Sequence, residues 1–257
     1  MYNNLQRGAD PELFLRDKHN FPVTAIGLIG GSKNVPRQIG NGFALQEDNV
    51  AVEFNIPPAS SKEQFVSSIH FVLDFLRQEL APKELHLDIS PTMEFTEEQL
   101  DHPQARQFGC EPDFNAWTLD INPRPKAPAN FRSSGGHLHL GWDDPTEEEQ
   151  VRLIKAHDLF CGVPSLIYDP DVKRREVYGK AGACRFKDYG VEYRTLSNFW
   201  LKSEELTAWL FEQSEKAVKF VKDQNKLSEE DCAKIVHCIN ASDHQLLAEL
   251  NEKFAIL

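Results

Sequence analysis

The sequence predicts an α+β chain, a mixture of helices and strands, on two observations. Some stretches carry a capping residue followed by apolar residues at helical spacing, and others alternate charged and apolar residues as a half-buried strand does. At 257 residues and 40% hydrophobic content, the chain is long enough to bury a core of its own. It holds no internal repeat and no low-complexity tract, and its proline-rich stretch, residues 121–131, is too short for a flexible linker. Residues 1–257 therefore read as a single domain, with residues 203–257 its helical C-terminal part.

Taken in order, GADPELFLRD (residues 8–17) comes first; extended, it turns Asp10 and Glu12 to one side and Leu13 and Leu15 to the other. GLIGGSK (27–33) is a glycine-rich turn without the residue order of a phosphate loop, because Lys33 follows Ser32 and precedes Asn34. Lys33 stays a candidate for reaching a phosphate. NVAVEFNIP (49–57) sets Val50, Val52, Phe54 and Ile56 on one face and leaves Glu53 and Asn55 on the other. Ser61 and Gln64 read as a capping box for a helix whose stripe is Phe65, Ile69, Val72, Leu73, Leu76 and Leu80.

GGHLHLGW (135–142) is the most pointed segment: as a strand it turns His137 and His139 to one face and Leu138, Leu140 and Trp142 to the other. Two imidazoles ~6 to 7 Å apart along a strand reach a common metal ion or phosphate. A second helix starts at Asp144, Pro145 and Glu147 and runs to about Cys161, where Gly162, Val163 and Pro164 stop it. Arg174 and Arg175 read as a solvated charge run. In CRFKDYGVEYRTLSNFW (184–200), Arg185 and Lys187 share a face, and after a turn at residues 188–190 Glu192 and Arg194 do the same. Ser203 starts a helix carrying Leu206, Leu210, Ala217 and Val221, and two short helices begin near Ser228 and Asp243.

The balance of 28 Lys and Arg against 40 Asp and Glu, a net −12, disfavours nucleic acid and anionic membrane surfaces as partners. Five cysteines without a C-x-x-C pair read as reduced thiols, which points to the cytoplasm. The N-terminus lacks the basic start and apolar run of a secretory signal, and no run of about 18 apolar residues suggests a membrane span.

Four separate strands thus carry ionisable groups on one face: Asp10 and Glu12, Glu53, His137 and His139, and Arg185, Glu192 and Arg194. A solvated face explains any one of them, whereas the whole set is a ligand inventory. Carboxylates ~4 Å apart repel by about 4 kcal/mol per pair at an effective dielectric of 20, so several stay ionised together only around a cation. Oxygen-rich ligands with a histidine favour Mg²⁺ or Mn²⁺, and neighbouring arginines suit a phosphate.

These motifs resemble a known family. GADPELFL is similar to the acid-Pro-Glu strand of glutamine synthetases, GGHLHLG to their His-x-His strand, and VEYR to their Glu-x-Arg strand, in the same chain order. With VEFNIPP and GCEPDFNAW the closer resemblance is to the compact carboxylate-amine ligases of that superfamily, the type-2 amidoligase-like proteins often found in phages. The resemblance implies a curved, mainly antiparallel sheet with outer helices and the active site on its concave polar face. It implies that Asp10, Glu12, Glu53, His137 and Glu192 bind metal, that His139 lies on the phosphate side, and that Arg185 and Arg194 grip the transferred phosphoryl group. ATP with Mg²⁺ or Mn²⁺ would be the cofactors, and small-molecule or peptide carboxylates and amines the substrates. Glu53 or Glu111 would take the proton of the amine, and Glu111 or Asp113 would add a further acid. The compartment is the cytoplasm, the host's if the gene is a phage's. The shorter length and the Asp10 in place of a glutamate depart from glutamine synthetase. Two other readings fit part of the pattern: a metal-dependent hydrolase or cupin-like enzyme built on His137 and His139, and an inactive binding or structural protein of the same fold.

Overall fold

The computed structural model describes residues 2–106, 113–123 and 126–257. Its N-terminal half runs β1 (Gln6–Ala9), β2 (Glu12–Asp17), β3 (Pro22–Val23), β4 (Arg37–Gly40), β5 (Phe43–Asp48) and β6 (Ala51–Asn55), then helix α1 (Lys62–Leu80). Strands β7 (Leu85–Asp88) and β8 (Thr92–Glu94), the short α2 (Pro103–Arg106), and strands β9 (Phe114–Asn115), β10 (Phe131–Ser133) and β11 (Leu138–Gly141) follow. The rest is α3 (Glu147–His157), α4 (Val163–Tyr168), α5 (Val172–Val177), the hairpin β12 (Ala183–Lys187) and β13 (Gly190–Tyr193), and helices α6 (Glu204–Lys222), α7 (Glu229–Ala241) and α8 (His244–Phe254).

All these strand pairs are antiparallel. One sheet has the order β1-β11-β13-β12-β9, a second has β3-β2-β6-β5-β4 with β7 also on β2, and β8 pairs with β10. GADPELFLRD is therefore not one strand. The chain leaves the first sheet after Ala9 and enters the second at Glu12, so Asp10 and Pro11 join the two. Proline at the junction has no N–H to offer a ladder, which suits a residue between sheets.

Alternation then sorts the side chains as the sequence implies. Leu138, Leu140, Val191, Tyr193, Val52 and Phe54 are fully buried on the side covered by helices. Phe65, Ile69, Val72, Leu73, Leu76 and Leu80 form the inner stripe of α1, which packs on α6, and α6 packs in turn on α3. Each such fully buried side chain contributes about 1.5 to 3 kcal/mol. Phe14, the exception in its strand, fills a small second core with Met93 and Phe95.

Two helix boundaries differ from the sequence expectation. Thr146, not Asp144, caps α3 and forms the capping box with Glu149, because Asp144 takes a left-handed backbone. Gly162, Val163 and Pro164 do not stop the helix either. Residues Asp158–Gly162 widen into a single π turn, and Pro164 then falls in the first turn of α4, where its missing N–H costs nothing. At Ser61 the box is only half formed: its hydroxyl accepts from the Gln64 N–H, while Gln64 reaches back to the amide of Ser60.

Candidate active site

The polar face is built by two rows of opposed residues. Across the first sheet, Gly8 faces His139, His139 faces Glu192, and Glu192 faces Arg185. Across the second, Glu12 faces Glu53 and Glu53 faces Gln46, with Asp48 further along the Gln46 face of β5. The seam is tied by Gly135, which takes a hydrogen bond from the Glu12 amide (2.9 Å) and donates its own amide to Glu12 Oε2 (2.7 Å). Glycine is required there: a Cβ on Gly135 would lie 2.1 Å from His137 Nε2.

In the first cluster Asp10 Oδ1 lies 2.8 Å from His139 Nε2 and 3.5 Å from His137 Nδ1, and His137 Nδ1 is 3.7 Å from Glu192. Asp10, His139 and Glu192 each offer an atom within 4.8 Å of the others. The Arg194 guanidinium bonds Glu192 and the Tyr178 hydroxyl, and its Nε sits 2.8 Å from Asp113. Arg185 lies 3.5 Å from Asp113 and 3.8 Å from Glu192, and Lys187 is 3.1 Å from Glu192. Burial by itself would raise the Glu192 carboxyl, but Arg194 together with His137 and His139 outweighs it and holds the group down at about 2. Asp10 is likewise held well below the usual carboxylate range: His139 and His137 overcome its desolvation, and His139 is pushed up in return.

The second cluster is different. Glu12, Asp48 and Glu53 offer carboxylate oxygens within 4.8 Å of one another, and none of the three takes part in an ion pair among the described residues. Desolvation, with Asp10, Glu12 and Asp48 adding to it, raises the Glu53 carboxyl well above its ordinary value, and Glu12 is raised by burial too. Among buried polar atoms lacking hydrogen-bond alignment are Asp10 Oδ1, His139 Nε2, His137 Nε2 and Asp113 Oδ1. An oxygen-rich donor set with imidazole, without cysteine, and with unaligned buried atoms fits Mg²⁺ or Mn²⁺.

The structure thus brings Asp10, Glu12, Glu53, His137, His139, Arg185, Glu192 and Arg194 onto one face. It does not bring Lys33 there. The loop of residues 27–31 is held by Glu47, whose carboxylate takes amides from Gly27, Ile29 and Gly30, and Glu47 alternates away from Gln46 and Asp48. Lys33 is exposed beyond it. Asp113 joins the arginines, while Glu111 lies outside the described residues.

Two site residues escaped the sequence reading, Asp48 and Lys187 as a partner of Glu192; beside them the Tyr178 hydroxyl accepts from Arg194. The register of the β5–β6 hairpin, counted back from Glu53, would have found Asp48. Arg174 and Arg175 are buried, not solvated. Arg174 donates to the carbonyls of Ser134, Thr195 and Leu196, and Arg175 pairs with Asp169. Beside His139 opens a cleft of about 510 Å³, walled by Asn4, Gln6, Asn55, Trp142 and Tyr189, with the Tyr189 hydroxyl bonded to His139 Nδ1.

Residues 126–250 match the family model described as phage phiEco32-like COOH.NH2 ligase, type 2. That is the family of ligases the motifs resemble, and the matched stretch holds His137, His139, Arg185, Glu192 and Arg194. Among solved structures, GmaS without ligand aligns over 98% of this chain and 66% of its own, at 12% identity and a TM-score of 0.46. A glutamine synthase homologue aligns over 98% and 64%, at 13% and 0.42. A bifunctional glutathione synthetase from Pasteurella multocida aligns over 98% and 47%, at 12% and 0.42. The chain spans less than two thirds of the length of the latter two and 66% of the first. No curated protein matches it. No helix among the described residues is long and apolar enough to cross a membrane.

Proposed function

We propose that the chain is a ligase that uses ATP and a divalent cation to join a carboxylate to an amine through an acyl phosphate. One observation carries this reading: three carboxylates, Glu53 buried and Glu12 and Asp48 half-buried, without an ion-pair partner among the described residues, stand on the same face as a pair of guanidiniums. Glu12, Asp48 and Glu53 would hold one cation, and Asp10, Glu192 and an imidazole of His137 or His139 a second. Such ions supply neutralisation of phosphate charge. The cleft beside His139 suits a nucleotide: Trp142 and Tyr189 offer ring surface, and Asn4, Gln6 and Asn55 offer carboxamides that match the donors and acceptors of a base.

Arg194 and Arg185 orient the γ-phosphoryl group and counter the charge that spreads over its oxygens as the substrate carboxylate attacks. The acyl phosphate then loses phosphate to the amine. Glu53 or Glu111 would take the proton of that amine. The substrates are a small-molecule or peptide carboxylate and an amine, and the chain works as one domain in the cytoplasm, the host's if it is phage-encoded.

The test is incubation with ATP, Mg²⁺ and a panel of carboxylates in hydroxylamine, which traps an activated acyl group as a hydroxamate. Hydroxamate should form with at least one carboxylate and vanish in folded Glu53→Ala and Arg194→Ala protein. Equal yields from both variants would remove these residues from the reaction. Tight binding of one transition metal with indifference to ATP would favour a hydrolase instead, and no turnover at all an idle protein of the same fold.

A further inference from the structure

Asp158 opens the π turn after α3 and is completely buried. Its Oδ2 accepts from Trp117 Nε1 and from the Gly182 amide, both at 2.6 Å, and its Oδ1 accepts from the Tyr193 hydroxyl at 2.9 Å and the Thr195 hydroxyl at 3.1 Å. These donors come from three segments, the same three that meet at the Arg194 guanidinium on the polar face. The segment of Trp117 carries Asp113, the segment of Gly182 connects Tyr178 to Arg185, and Tyr193 and Thr195 flank Arg194 in sequence. The first two segments are also bonded to each other, Ala116 N–H to the Gly182 carbonyl at 2.9 Å.

Alternation places Tyr193 and Thr195 on the helix side of the sheet, beneath the polar face that holds Glu192 and Arg194. Asp158 therefore stands behind the guanidinium cluster and touches none of its charged members. None of its bonded partners is a cation, which is unusual for a buried carboxylate, since desolvating one costs several kcal/mol even after relaxation. Packing alone would be served by a leucine without that cost. What an acid adds is four acceptor directions at one point, able to take donors from separate stretches of chain.

Building on the proposed ligase reading, we propose that Asp158 is the positioning residue of the guanidinium cluster: from behind the sheet it fixes the backbone that presents Asp113, Arg185 and Arg194 to a phosphoryl group. The π turn that starts at Asp158 serves this role by changing the register of the residues after it, which sets Gly162 against the Tyr193 hydroxyl. Gly162 serves it too, because a Cβ there would lie 2.8 Å from the Tyr193 hydroxyl and 3.3 Å from Asp158 Oδ1.

Asp158→Leu and Asp158→Asn separate the roles. In the asparagine variant the amide oxygen can face Trp117 and Gly182 while the amide nitrogen donates to the two hydroxyls, so the clamp survives. Leucine keeps bulk and loses every bond. Hydrogen exchange of residues 113–118 and 178–185 should quicken about tenfold or more in Asp158→Leu, stay near wild type in Asp158→Asn, and be unchanged in both over α8. The affinity for ATP with Mg²⁺ should fall about tenfold in the leucine variant, while Mn²⁺ binding by Glu12, Asp48 and Glu53 holds within about twofold, a split that general loosening would not produce.

Wild-type exchange in those two segments of Asp158→Leu, or faster exchange spread evenly over the chain, would overturn the proposal. If the leucine variant does not fold, Trp117→Phe removes a single donor; exchange should then quicken over 113–118 alone, and an unchanged rate there overturns the proposal equally. Wild-type protein that binds no ATP would instead sink the ligase reading, with the exchange data still deciding whether Asp158 holds these segments.

Discussion

The acids around Glu192 and those around Glu53 share one polar face and are joined through Asp10 and Pro11, yet burial is offset differently in the two places. Near Glu192, the carboxylates Asp10, Asp113 and Glu192 meet Arg185, Arg194 and Lys187, and Glu192 stays ionised to about pH 2. Near Glu53, three carboxylates meet one another, and the Glu53 group is driven up by desolvation and by its neighbours' charge. The first arrangement is electrically closed without a ligand and so fits a site that exchanges a phosphate with its cation. The second is open and gains most from a cation held on its own. Spacing in the sequence shows acids in both places; only the charge balance separates their roles.

The largest expected effect comes from making the closed cluster resemble the open one. Arg194→Ala strips Glu192, Asp113 and Tyr178 of their shared donor. Removing one partner of a buried pair costs about 3 to 5 kcal/mol, measured by urea unfolding. Hydroxamate formation should fall by about a factor of 100 to 1,000, the usual loss when a donor aimed at developing charge is removed. If Arg194→Ala unfolds at the wild-type urea midpoint, the closed cluster is not held by that guanidinium.

The next effect runs the other way. Glu53→Gln removes repulsion from the open cluster, so metal-free protein should melt higher, by about 2 to 4 °C for each kcal/mol relieved. Mg²⁺ at a hundred times its dissociation constant should stabilise wild type by about 2.7 kcal/mol and the variant far less. Thermal melts with EDTA and with Mg²⁺ read both. A variant that melts lower in EDTA would mean that Glu53 is satisfied without a cation.

Much of this arrangement was legible from letters alone, for a physical reason. Strand alternation is strictly local, so the polarity of Glu53, His137, His139, Glu192 and Arg194 followed from their apolar neighbours, and the structure brings these residues together. Caps are local too, which is why Ser203, Ser228 and Asp243 were readable as helix starts. The break at Pro11 was not, because whether a polar-apolar run continues in one sheet or crosses to another depends on partners far along the chain. Asp48 and Asp158 were hidden for the same reason: each acts through residues brought near by register or by a loop, and Asp158 sits in a stretch whose helical periodicity the π turn interrupts. Arg174 looked solvated because its partners are main-chain carbonyls, which no sequence pattern marks.

The finest distinction between the clusters is their opposite dependence on pH. Glu192 falls from the ordinary 4.5 to about 2 in the folded chain, so between those values the unfolded chain binds the extra proton. Its contribution is complete above pH 4.5 and is lost as pH falls, by about 1.4 kcal/mol per pH unit. Glu53 is raised above 4.5, so there the folded chain binds the extra proton, and metal-free stability drops as pH rises above that value. Urea unfolding in EDTA across pH 3 to 8 should therefore give a wild-type minus Glu192→Gln difference that changes only on the acid side of about 4.5, and a wild-type minus Glu53→Gln difference that changes only on the other side. Saturating Mg²⁺ should flatten the second difference, because a carboxylate engaged by a cation no longer gains from a proton. Two differences that move on the same side of pH 4.5 would mean that the two clusters titrate as one, and the contrast between closed and open would fail with them.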